Sequence, residues 1–324
     1  MKSVYKILGI NLLLAIWSMG EGHGQQLPQF SQYMFNGLHI NPGYAGYKGE
    51  PYIQSTYRSQ WMDFPGAPRT LTVTADLSAN EGLMGFGASI LTDRFGPAQT
   101  SSGILTYAYR IQTGPESFLG LGVSAGVSEY AIDGAMFNPN DFDDVNIPEE
   151  RVSLFIPNMN TGIFFHTPDF YAGISAYNLV GKKNLEREDM ALAYHNLHFY
   201  LTAGVLLPVS DQVTFKPSFL IRKEQQGPSN YDVNGMFLIM ERVGLGVSYR
   251  SHIKMDEAEH QNELSARNAV ALVAEIFVTD NLRFGYAYDH HTNALSNTRN
   301  NSHELSVGYY IAPRNVRMKN PRWF

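Results

Sequence analysis

Most of this chain alternates apolar and polar residues one by one, in runs of roughly ten residues separated by turn formers. Successive residues of a strand point to opposite faces, so each run specifies a strand with two chemically different sides. Between 197 and 207, Leu197, Phe199, Leu201, Ala203, Val205 and Leu207 share one face, and His198, Tyr200, Thr202, Gly204 and Leu206 share the other. Leu71, Val73, Ala75 and Leu77 oppose Thr70, Thr72, Thr74 and Asp76 in the same way, and Val243, Leu245, Val247 and Tyr249 oppose Gly244, Gly246, Ser248 and Arg250. Fourteen strands are predicted, at about 52–59, 69–78, 83–92, 102–111, 117–128, 160–167, 169–178, 196–208, 212–223, 230–240, 242–251, 267–278, 280–290 and 302–311. Most have the ~9–11 residues that a tilted strand needs to cross a bilayer.

The connections point the same way. Tight turns at 78–82, 112–116, 167–169, 209–212, 240–242 and 279–281 alternate with longer loops at 60–68, 93–101, 129–159, 179–195, 224–229, 252–266 and 291–301. An even number of strands with short turns at one end and longer loops at the other is the layout of an outer-membrane β-barrel, in which ring closure satisfies every backbone polar group. After the first residues, no apolar run is long enough for a spanning helix. A soluble β-sandwich would also alternate, but its outer face would carry many charges. Here charged residues make up only 17% of the chain, and the polar face is mostly Gly, Ser, Thr and Tyr with an occasional Arg or Asp. Glycines and tyrosines facing a confined polar lumen are the expectation.

Residues 1–24 have a short cationic start (Lys2, Lys6), an apolar stretch from Ile7 to Trp17 and small residues up to Gly24. This is the layout of a cleaved secretory signal peptide. The expected domains are therefore a signal peptide at 1–24, an N-terminal periplasmic or plug-like segment at 25–51, the barrel at 52–311 and a basic periplasmic tail at 312–324. The chain has no cysteine, which excludes disulfides and Cys-ligated metal sites. Its net charge of −6 disfavours nucleic acid as a partner.

A resemblance enters through specific residues. The stretch Pro28-Gln29-Phe30-Ser31-Gln32-Tyr33-Met34-Phe35-Asn36 is followed by Asn41-Pro42-Gly43-Tyr44-Ala45-Gly46, then Arg58-Ser59-Gln60-Trp61 and Pro65-Gly66-Ala67-Pro68-Arg69-Thr70. Further along come Asp93-Arg94-Phe95-Gly96-Pro97, Phe170 to Leu179, and a terminal Asn320-Pro321-Arg322-Trp323-Phe324. In these the chain resembles the PorP/SprF family of Bacteroidota, covering nearly all of the mature sequence. Gly37 and Gly43 depart from the proline and alanine often found there. The resemblance implies an integral outer-membrane barrel that assists export or surface attachment of cargo carrying a type IX sorting domain. It also implies partners among the type IX secretion components of periplasm and outer membrane.

Three regions are candidate contact sites. The first is the amide- and aromatic-rich opening: Gln29, Phe30, Gln32, Tyr33, Phe35, Asn36, Asn41 and Tyr44. It is expected at the periplasmic mouth or inside the lumen, as a plug, a docking surface or a structural seal. The second is the loop after the first strand, with Arg58, Trp61, Phe64 and Arg69, where an ion pair from Arg58 or Arg69 to Asp76 or Asp93 is expected. The third is the tail, whose Arg314, Arg317, Lys319 and Arg322 stand without an acid and suit an acidic periplasmic partner. Loop 129–159 carries Asp133, Asp141, Asp143, Asp144, Glu149 and Glu150 but lacks the spacing of a calcium loop. His195, His198, His252, His260, His290, His291 and His303 are scattered, without a metal-ligand spacing. No nucleophile elbow, P-loop or dinucleotide fingerprint occurs. The expectation is a non-enzymatic outer-membrane accessory of type IX secretion or gliding, without cofactor, surrounded by outer-membrane lipid. A porin-like channel for small solutes is the alternative, and a barrel-type surface hydrolase is a third class with no catalytic constellation behind it.

Overall fold

The computed structural model describes residues 27–62, 65–136, 150–180, 196–224, 229–253, 269–292 and 301–311. Its strands are β1 (Tyr52–Ser59), β2 (Arg69–Ala79), β3 (Met84–Phe95), β4 (Ala98–Gln112) and β5 (Phe118–Asp133). Next come β6 (Arg151–His166), β7 (Phe170–Tyr177), β8 (His198–Val205), β9 (Leu207–Ser210) and β10 (Val213–Glu224). The last are β11 (Ser229–Ile239), β12 (Val243–Ile253), β13 (Ala269–Phe277), β14 (Leu282–His291) and β15 (Ser302–Tyr310). β8 and β9 are two parts of one stave, interrupted at Leu206, and both pair with β10. The wall thus has fourteen staves, each antiparallel to its sequence neighbours, and the pairing of β15 with β1 closes the ring. Closure removes the free edges that an open sheet would leave in lipid.

The two faces are inverted relative to a soluble protein. Leu105, Ile90 and Phe155 point outward and are 71%, 63% and 63% exposed, whereas the inward Asp232, Asp289 and Glu304 are fully buried. An outer surface of exposed aliphatic and aromatic side chains is stable only against hydrocarbon. The expected tyrosine distribution needs a correction. Tyr52, Tyr171, Tyr200 and Tyr310 face inward, but Tyr57, Tyr107, Tyr109, Tyr249, Tyr286 and Tyr309 lie on the outer face. A phenol there keeps its ring in the apolar band and its hydroxyl near water or headgroups.

Two connections expected to be long are shortened by strand. β3 and β4 continue to Phe95 and from Ala98, so the predicted loop 93–101 reduces to Gly96 and Pro97. β5 runs to Asp133 and β6 starts at Arg151, so the ladder takes up both ends of the predicted loop 129–159, at 129–133 and 151–159. At the tops of β3 and β4 the outer positions are polar, as with Arg94 and Gln99, because these two strands rise past the apolar band. The ladder persists since backbone pairing does not need lipid. Strict alternation of short and long connections therefore fails at β3–β4. The two-residue hairpin at Met240 and Glu241 takes positive φ at both residues, 51° and 53°, the twist-matched form of a tight β-turn.

Candidate functional site

Residues 27–50 pass through the barrel interior rather than staying at one mouth. The segment is a chain of short turns: Tyr33–Phe35, Gly37–Ile40 and Pro42–Tyr44. Asn41 stabilises the last of these, its Oδ1 accepting from the Gly43 amide at 2.8 Å. Turns this short cannot satisfy their own backbone, so the wall supplies the partners.

At the long-loop end, the Ser31 and Gln32 amides donate to Glu304 at 2.8 and 3.0 Å, and the Ser31 hydroxyl donates to Asp289 at 2.7 Å. Arg58 bridges the same two carboxylates, at 2.6 Å to Asp289 and 2.9 Å to Glu304. Arg250 donates to the Phe30 carbonyl at 3.2 Å and to Asp232 at 2.7 Å, and Arg222 completes the group on Asp232. Three guanidinium groups thus meet three carboxylates, with main-chain amides of the segment taking remaining lone pairs. Balanced, hydrogen-bonded charge of this kind is the form in which burial is tolerated.

Midway, Tyr33 bonds Ser218 at 3.0 Å, and the Arg283 guanidinium lies 4.2 Å from the centre of the Phe35 ring. Asn41 donates to the Ile163 and Ile174 carbonyls at 2.9 and 3.3 Å, and the Ile40 carbonyl accepts from Ser175. At the short-turn end, the Gly46 amide donates to Asp76 at 3.0 Å, Arg110 donates to the Ala45 carbonyl at 2.9 Å, and Lys48 sits 4.1 Å over the Tyr52 ring. The segment then joins β1 beside the end of β15, where the Ile311 amide donates to the Pro51 carbonyl at 3.0 Å. It therefore runs from the long-loop end to the short-turn end.

Wall glycines make this path possible. A Cβ on Gly122 would lie 2.2 Å from the Gly43 amide nitrogen, and one on Gly85 would lie 1.9 Å from the Ala45 carbonyl. The inward glycines serve close backbone approach as well as space. Packing is tight: a void of about 10 Å³ lies among Tyr33, Ile40, Asn41, Tyr44 and Phe164. That is about one water at most.

Of the sequence-predicted residues, Phe30, Gln32, Tyr33, Phe35, Asn41, Tyr44 and Arg58 are buried together inside, and Gln29 and Asn36 are half-buried beside them. The ion pair expected from Arg58 to Asp76 or Asp93 is not formed: Arg58 takes Asp289 and Glu304, while Thr70 donates to Asp93 at 2.6 Å. Arg58 points inward, and its nearest acids belong to strands far away in sequence. Arg69 is on the opposite, outer face, exposed, and Trp61 is half-buried 6.4 Å from the His291 ring. Phe64, Arg314, Arg317, Lys319 and Arg322 lie outside the described residues, as do Asp141, Asp143, Asp144 and Glu149. Missed from sequence were Ser31, Arg222, Asp232, Arg250, Asp289 and Glu304. For the five charged residues the signal was present, as charges at inward positions of strands; Ser31 carried none. Among the described residues no group of three or more His, Asp or Glu is placed to hold a metal ion.

The family model described as type IX secretion system membrane protein PorP/SprF matches residues 22–309. A comparison with curated proteins gives no match. Among solved structures, a Pseudomonas aeruginosa FadL homologue is similar at 13% identity, covering 89% of this chain and 96% of that chain with a TM-score of 0.50. The CymD monoaromatic hydrocarbon channel is similar at 10% identity, covering 90% and 96%, also at 0.50. At such identities the likeness is one of barrel fold alone.

Proposed function

The chain belongs to the PorP/SprF family of type IX secretion system outer-membrane proteins, and from that premise we propose that it is a non-enzymatic accessory assisting export or surface attachment of a cargo protein. The observation that carries the proposal is the bore filled by residues 27–50, whose turns are bonded to the wall along its length. A barrel filled in this way offers partners its rims and loops rather than a passage. In this proposal the long-loop end retains cargo bearing a type IX sorting domain, and the segment stiffens that end from within. The short-turn end and the tail, with Arg314, Arg317, Lys319 and Arg322, meet acidic surfaces of periplasmic secretion components.

Deleting the gene should abolish secretion or attachment of at least one type IX cargo. Normal export and attachment of every such cargo would overturn the proposal. For the tail, replacing its four cations by alanine should reduce recovery of periplasmic partners in a pull-down while leaving barrel assembly intact; unchanged recovery removes that part. The porin-like alternative makes the opposite prediction in a planar bilayer. The intact protein should show no steady conductance, and a stable open pore would favour the channel.

A further inference from the structure

Arg69 on β2 and Arg94 on β3 are direct cross-strand partners, and both are exposed on the outer face of the wall. Like charges opposite each other on a sheet repel. Among the described residues no carboxylate pairs with either. Arg94 donates to the neutral amide of Gln99 at 2.9 Å, which leaves its charge uncompensated. On β2 the next outward positions are Leu71 and Val73, exposed apolar side chains of the lipid-facing band. Arg69 stands one outward step beyond them, roughly 7 Å along the strand. The pair therefore lies at headgroup level, at the long-loop end.

Beside the pair is a groove of about 420 Å³ lined by Met62, Pro65, Ala67 and Met136 together with the two arginines. It is built, not incidental. The Gly96 amide donates to the Gly66 carbonyl at 2.8 Å, and the Gln60 amide donates to the Pro68 carbonyl at 3.0 Å. Gly66 and Gly96 both hold left-handed φ, +74° and +55°, so this tie between two connections depends on glycine. Two forked guanidinium groups beside a groove with apolar edges match a phosphate carried on an amphipathic molecule.

We propose that Arg69 and Arg94 bind the phosphate of an outer-leaflet glycolipid, whose sugar and acyl portion lies along the Met62–Pro65–Met136 groove. The anion converts a repulsive cation pair into a bridged one and fixes the barrel's height in the membrane. The inference rests on the long-loop end facing the cell exterior and is independent of which cargo is served.

The test is native mass spectrometry of the full-length protein extracted from its own outer membrane in mild detergent. Wild type should retain a phosphorylated glycolipid, and an R69Q/R94Q double variant should retain roughly tenfold less. R242Q, which breaks an exposed pair with Asp280, should retain it as wild type does. Heat-modifiable migration on gels checks that each variant is folded. In delipidated wild type, adding the phosphorylated glycolipid should raise the melting temperature, whereas its dephosphorylated form and inorganic phosphate should not. Equal retention by the double variant overturns the proposal. So does equal protection by the dephosphorylated lipid, which would mean an apolar groove only, or by inorganic phosphate, which would mean a free-anion site. Retention of an inner-leaflet phospholipid through the same arginines would overturn both the glycolipid and the orientation.

Discussion

The two ends of the lumen hold charge differently. At the long-loop end, Arg58, Asp289, Glu304, Arg250 and Asp232 interlock at 2.6–2.9 Å and bond directly to Phe30, Ser31 and Gln32. Nearer the short turns, Glu275 stands 3.7 Å from Lys216 and 3.8 Å from Arg283 close to the Phe35 ring, and the segment makes single bonds, the Gly46 amide to Asp76 and the Ala45 carbonyl to Arg110. One end is a clamp on main-chain donors. The other is a looser set of charges packed against rings. The comparison teaches that the segment's beginning is clamped by a charge network, whereas its later part is held by separate hydrogen bonds and by shape.

The largest expected effect tests the clamp. Glu304→Gln removes the charge facing Arg58 and turns one of the two oxygens that accept from Arg58 and two amides into a donor, and breaking one partner of a buried pair costs about 3–5 kcal/mol. The urea midpoint in detergent should drop accordingly, and conductance should appear as residues 27–50 loosen. A wild-type midpoint with a silent bilayer would erase the proposed asymmetry. Glu275→Gln should cost less, by about the 1.5–3 kcal/mol that charged hydrogen bonds add at the other end. Equal losses would mean that distance to the segment does not matter.

Shape is tested at Gly122. Its alanine would force a methyl into the Gly43 backbone, and overpacking of this kind costs about 1–3 kcal/mol. Greater protease sensitivity near residue 43, with the barrel itself still resisting heat-free SDS, is the expected pattern.

How much of this was legible follows from the range of each interaction. Thr70, Thr72 and Thr74 inside with Leu71, Val73 and Leu77 outside is a two-residue rhythm, and it can be seen without knowing any partner strand. The tops of β3 and β4 were missed because their outer faces leave the lipid: Thr92, Arg94, Gln99 and Ser101 carry loop-like composition on a paired backbone. The amide-rich opening stood out as chemistry in need of partners, although nothing local said which carboxylates would receive it.

Composition and period two by themselves determined the staves, the greasy exterior and the need for closure, because strand geometry and the cost of an unpaired backbone in hydrocarbon act residue by residue. Only the tertiary structure decided that Arg58 meets Glu304, 246 positions away, and that Ser31 is their common ligand. Bringing the first and last staves together sets those pairings, and ring register is a property of the whole circumference that no single segment encodes.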